Sequence, residues 1–204
     1  MSQAIWRMKI TINLDLLDDE SATQAIKTVV EIAEVNDVNW ALVGGLAMAV
    51  YGGDCKSKNI AIIANKLLPL ESKGVLRQGG ERYLIKTQKK EVAVDWIIRK
   101  DEFKALFQDA LAEAVKIDDT PILTPEWLVI LKFIAGRFKD QEDAVFLLSQ
   151  RNLVNREIIK QKIVKHFGLG AWSLAKHGYY RWFDIADGKT REDERNEKDG
   201  YIDS

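Results

Sequence analysis

Three sets of residues in this chain have the type and spacing to do chemistry. Gly44 and Gly45 follow the apolar run Trp40, Ala41, Leu42, Val43 and precede the small-residue stretch from Leu46 to Tyr51. A strand that passes through glycines into a helix start lets the backbone approach a ligand, and the N–H groups at that start favour an anion such as a phosphate. The plainer reading of the same residues is a tight turn. Asp95 stands inside the apolar run Val92 to Ile98. An ionised carboxylate there is expensive unless it lies at a sheet edge or bonds a neighbouring lysine. Lys132 stands mid-helix among apolar neighbours, so its ammonium must reach water, an acid or a phosphate. Asp95 is one candidate partner for it, and a bound triphosphate is another.

The elements that must position these groups follow from periodicity. Ala22, Ala25, Ile26, Val29, Val30 and Ala33 recur at helical spacing, with Ser21 placed as N-cap. Strands are predicted at Trp40 to Val43, at Asn59 to Ala64 and around Tyr83 to Thr87. A nearly all-apolar central strand follows at Val92 to Ile98. Gly79 and Gly80 mark a turn, and Gln88 to Lys90 a polar hairpin loop. Pro69 argues against a long helix between Asn65 and Lys73, and a short strand is predicted from Gly74 to Gln78. Asp101 to Ala114 is an amphipathic helix, and short strands flank the turn at Asp118 to Pro121. Thr124, Pro125 and Glu126 form a helix start, with a largely buried helix running to about Phe138. A basic helix begins at Asn155 and stops at Gly168. An aromatic concentration follows, with Trp172, Tyr179, Tyr180, Trp182 and Phe183, read as core or as a partner-binding patch.

The fold reading is therefore α/β (α+β): a mixed sheet with helices, then a helical part. The divisions are an N-terminal arm over 1–20, a core over 21–124, a helical part over 125–186 and a charged tail over 187–204.

Composition narrows the function classes. The net charge of −1 sets up no basic field to draw in nucleic acid, and the basic helix has no interleaved aromatics. A solvated helix face is the plainer reading of it. With Cys55 the one cysteine, no intramolecular disulfide forms, which fits a reducing cytoplasm. No apolar run reaches the length of a membrane span. A cytoplasmic protein without membrane contact is expected.

The stretch from Trp40 to Ala61 resembles the nucleotidyltransferase superfamily, the DNA polymerase β-like fold, in its small bacterial Gly-Gly branch. That branch carries Gly-Gly-x-Ala, x-x-x-hydrophobic-Gly, then x-x-Arg-x-Thr-x-Asp-x-Asp. Gly44, Gly45, Ala47, Tyr51 and Gly52 match, and Ser57 stands where the Thr belongs. Cys55 replaces the Arg, and Asn59 and Ala61 replace the two aspartates. Asp95 falls where the resemblance implies a third carboxylate. A second block resembles the branch intact, through Pro125, Glu126, Leu128, Lys132, Arg137, Lys139, Asp140 and Asp143.

The resemblance implies a fold and a lost activity. Superfamily members hold two magnesium ions with carboxylates and drive in-line attack on a nucleotide α-phosphate. Two ions close together need bridging negative oxygens, and Asn59 and Ala61 supply none. Gly44, Gly45, Lys56, Ser57 and Lys132 are the candidate nucleotide-binding residues, and Asp95 is the residual metal ligand and carboxylate. The leading reading is a catalytically degenerate nucleotide-binding or regulatory protein. The alternatives are an active magnesium-dependent nucleotidyltransferase using rearranged acids such as Asp54, and a protein-interaction scaffold, with a protein partner or a second copy on its aromatic region.

Overall fold

The computed structural model describes residues 19–53, 57–118 and 120–189. The expected N-terminal arm, most of the charged tail, and Asp54, Cys55 and Lys56 lie outside the described residues. The chain divides between Thr124 and Pro125 into two compact units.

The first unit is a mixed sheet with helices. Its elements run α1 (Asp19–Val35), β1 (Trp40–Val43), α2 (Gly44–Val50), β2 (Asn59–Ala64), β3 (Gly74–Val75), β4 (Gly80–Lys86) and β5 (Glu91–Ile97). They continue with α3 (Lys104–Ala112), β6 (Val115–Ile117) and β7 (Thr120–Ile122). The spatial order is β3-β4-β5-β2-β1-β7-β6. β2 pairs parallel with β5 and antiparallel with β1, and β4 pairs antiparallel with β5. The expected mixed sheet with helices is thus observed.

Alternation along the strands makes one face a core. Ile60 and Ile62 of β2, Val94 and Trp96 of β5, and Tyr83 and Ile85 of β4 are all buried. Period-two alternation sends Asn59, Ala61, Asp95 and Arg82 to the other face. Helix α1 lies against β4 and β5, and its stripe of Ala22, Ala25, Val29 and Ala33 is buried. It starts two residues before Ser21, which is therefore not the N-cap but a buried first-turn residue, its Oγ 3.4 Å from Oγ1 of Thr87. The polar tips of Trp96 and Tyr83 are satisfied. Trp96 Nε1 donates to the Lys66 carbonyl at 2.9 Å, and the Tyr83 hydroxyl donates to Glu81 at 3.1 Å. Burial, then that bond to Glu81, pushes the Tyr83 hydroxyl up to about 12.

Gly80 opens β4 at φ 93°, where a Cβ would stand 2.0 Å from the Trp96 carbonyl oxygen and 2.7 Å from the Ile98 nitrogen. Nothing there can yield without breaking the β4–β5 ladder. Gly80→Ala is therefore expected to destabilise the protein by at least about 2 kcal/mol, read as a fall in the urea midpoint. An unchanged midpoint would show that this hairpin end is not held as described.

The second unit is helical: α4 (Pro125–Ala135), α5 (Phe138–Ser149) and α6 (Arg156–Ala186). Helix α4 ends three residues before the expected Phe138, because Gly136 at φ 65° reverses the chain. Phe138 instead opens α5. The Asn155 side chain caps α6 by accepting from the N–H groups of Glu157 and Ile158, at 3.0 and 3.4 Å. The helix breaks at Gly168 (φ 77°, ψ 171°), the expected stop, and resumes beyond it. Among the described residues no helix is long and apolar enough to cross a membrane.

The aromatic residues of α6 are mostly inward. Trp172, Tyr179, Trp182 and Phe183 are buried, and Phe133 of α4 stacks on Tyr179 with ring centroids 3.7 Å apart. Tyr180 alone of this set is exposed. The core reading of this segment, rather than a continuous exposed patch, describes what is observed.

Candidate functional site

Strand register builds the site. Ala61 of β2 lies opposite Asp95 of β5, and Asp95 lies opposite Arg82 of β4. On the other side Ala61 lies opposite Val43, the last residue of β1. Asn59 is two residues before Ala61 and shares its face. The three positions where the resemblance implies carboxylates are thus neighbours across two strands.

Asp95 is buried although it is charged, and its partners explain how. Arg82 grips it with both arms of the guanidinium: Nε donates to Oδ1 at 2.6 Å and Nη2 to Oδ2 at 3.0 Å. Asn59 donates from Nδ2 to the same Oδ2. The planar fork matches a carboxylate, so the pair is directional as well as charged. Its hydrogen bonds to Asp95, and then the carboxylate's charge, raise the Arg82 guanidinium above its ordinary value. The Arg82 side chain remains about half exposed (47%). Asp95 is therefore neither at a sheet edge nor bonded to a lysine: its strand is interior, and its partner is an arginine.

Ser57 extends the network. Its hydroxyl donates to the Asn59 carbonyl at 2.6 Å, which pins the entry to β2. Gly44 follows β1 directly at φ 65°, so the chain turns at the glycine itself and no separate turn precedes α2. A Cβ at Gly44 would stand 3.2 Å from the Ala61 Cβ. Gly44 and the Asn59–Ala61–Asp95 row are therefore adjacent through Ala61. Lys56, the remaining candidate of this stretch, lies outside the described residues.

Lys132 belongs to a different cluster. Its Nζ donates to Asp140 Oδ1 at 3.0 Å and to Asp143. Both acids come from α5, so neither Asp95 nor a phosphate is needed to explain this buried ammonium. Arg137 adds a second cation, with Nε 2.6 Å from Asp140 Oδ2. Asp140 also accepts from the Arg137 backbone N–H at 3.3 Å, in the first turn of α5. Arg137, Asp140 and Asp143 of the second block thus meet around Lys132.

The resemblance implies magnesium, and the described residues do not fit a magnesium pair. Asn59 brings an amide, Ala61 a methyl group, and both oxygens of Asp95 already accept hydrogen bonds. An entering ion would have to displace a bidentate guanidinium and would find no second carboxylate to bridge it. Among the described residues no group of three His, Cys, Asp or Glu side chains could hold a metal ion.

Arg82 is the residue that sequence reasoning missed. The polar loop at Gln88 to Lys90 carried the signal. A hairpin that pairs Lys86 with Glu91 necessarily pairs Arg82 with Asp95, four residues further along each strand.

No protein-family model matches this sequence, and no curated protein does. Among solved structures the chain is similar to an antigenic nucleotidyltransferase-like protein from Paracoccidioides brasiliensis. The two are 14% identical with a TM-score of 0.44, over 78% of this chain and 93% of that one. A likeness at that level assigns no role to any residue here.

Proposed function

We propose that this chain is a nucleotidyltransferase-fold protein that has exchanged its metal centre for an arginine–carboxylate pair. In this reading it binds a nucleotide without transferring it, in a regulatory role. The observation that carries the reading is the two-armed bond from Arg82 to Asp95. A guanidinium neutralises the remaining carboxylate as an ion would. It is permanently protonated, so it neither lowers the pKa of a water nor takes a proton from an attacking hydroxyl. The fork to Asp95 uses Nε and Nη2, so in this half-exposed side chain Nη1 is left to donate to a phosphate oxygen. Gly44, beside Ala61, supplies close backbone approach at the same place. The motif match through Gly44 and Gly45, with Ser57 standing where the Thr belongs, supports the nucleotide as the ligand class.

Calorimetric titration with ATP tests this. The expected result is the same affinity in EDTA as in magnesium, weakened at least about tenfold by Arg82→Ala. Magnesium-dependent binding, or transfer of label from α-labelled ATP to the protein or an RNA, would overturn it.

A further inference from the structure

The first unit holds a second cleft that the row of Asn59, Ala61 and Asp95 does not use. It has a volume of about 360 Å³ and lies beside the end of β2, where Ile63 shares the sheet face of Asn59 and Ala61. Helix α3 forms one wall. Lys104, Phe107, Gln108 and Leu111 line it at the i, i+3, i+4, i+7 spacing of a single helix face. The segment after β5 forms another wall, through Arg99 and Lys100.

The chemistry of the lining is one-sided. Three cations surround the cleft, and no lining residue is acidic. Arg99 is fixed in place: its Nε donates to Asp101 at 2.9 Å, and its guanidinium lies 4.9 Å from the Phe103 ring and 5.4 Å from the Phe107 ring. Its charge is thus largely answered by Asp101. Lys100 and Lys104 are exposed, and among the described residues neither has a carboxylate partner. Beneath the charges lie Ile63, Phe107 and Leu111, an apolar floor. The volume falls in the range of small-molecule sites.

We propose that this cleft binds a small organic phosphate, its phosphate between Lys100 and Lys104 and its apolar body on Phe107, Leu111 and Ile63. Two lysine ammoniums act as compact point charges and suit a dianionic phosphate better than a singly charged carboxylate. The floor accounts for an organic ligand rather than inorganic phosphate alone, because only an apolar body removes that floor from water. The site is separate from the Arg82–Asp95 pair and does not depend on the nucleotide reading above.

Phenyl phosphate is the simplest probe with both halves. Titration of the labelled full chain in EDTA, followed by amide NMR, is expected to shift resonances of residues 98–111 and 63–65. Inorganic phosphate should bind at least about tenfold more weakly. Lys100→Gln with Lys104→Gln changes two exposed side chains, so the fold is retained and its amide spectrum checks this. That variant should lose phenyl phosphate at least about tenfold, whereas Lys27→Gln, an exposed lysine of α1 outside the cleft lining, should leave the affinity unchanged. No shift at millimolar phenyl phosphate would overturn the proposal. So would binding that the double lysine variant leaves intact, or shifts confined to residues around Arg82.

Discussion

Asp140→Asn is expected to destabilise the protein by about 2–3 kcal/mol at neutral pH. Asp140 is almost fully buried (1% exposed) and Lys132 nearly so (8%). Removing the Asp140 charge leaves Lys132 with Asp143 as its remaining carboxylate, so one buried cation is left answered by one acid instead of two. Asparagine keeps the volume and still accepts the Arg137 backbone N–H, so the loss reads the charge rather than the cap. Arg137→Ala should cost at most about 1 kcal/mol, because its side chain is 76% exposed and solvent screens it. Burial raises the Asp140 carboxyl, but hydrogen bonds from Arg137 and Lys132 outweigh burial and hold it below the ordinary carboxylate value. A depressed folded value means that the stabilisation is fully present above the unfolded value of about 3.9 and is lost as pH falls through the folded value. The gap between wild type and Asp140→Asn in urea unfolding should therefore be wide at pH 7 and close in strong acid. A gap of equal size at both pH values would detach it from this ionisation.

The second large effect concerns the sheet face. Restoring aspartates at Asn59 and Ala61 alone should recover little metal binding, because Arg82 still occupies Asp95. Asn59→Asp with Ala61→Asp and Arg82→Met should bind Mn²⁺ at least about tenfold more tightly than the double variant, read by electron paramagnetic resonance. The triple variant crowds three carboxylates together, so its melting temperature should also rise with added Mn²⁺ while that of the wild type does not. Equal Mn²⁺ affinity in the double and triple variants would show that Arg82 is no barrier to the ion.

Much of the fold was legible because its core strands are short, apolar and punctuated by glycine. Trp40–Val43 and Asn59–Ala64 occur with the bounds read from sequence. Helix ends were harder. Gly136 terminates α4 through a left-handed conformation, yet in sequence it sits between two apolar-rich runs that join at helical spacing. Ser21 has the type of an N-cap, but α1 starts at Asp19 and Ser21 lies buried in its first turn beside Thr87. The site was legible in part. The apolar run Val92 to Ile98 places Asp95 in a central strand but does not name its partner, since an ion pair across strands depends on register rather than on local composition. Lys132 was recognised as a charge in need of an answer. Its acids lie eight and eleven residues ahead, beyond the turn at Gly136, where helical periodicity no longer predicts neighbours.

The Arg82–Asp95 fork spans thirteen residues and joins the two strands of one hairpin. Its formation is a local event, on the microsecond scale of hairpin closure, and needs no encounter with a dissolved species. A centre that takes its positive charge from solution waits on the concentration of the ion, and a chelator can empty it. Here the counter-charge arrives with the chain at unit stoichiometry. The electrostatic balance of this sheet face is therefore set at translation and stays indifferent to the ionic supply around it.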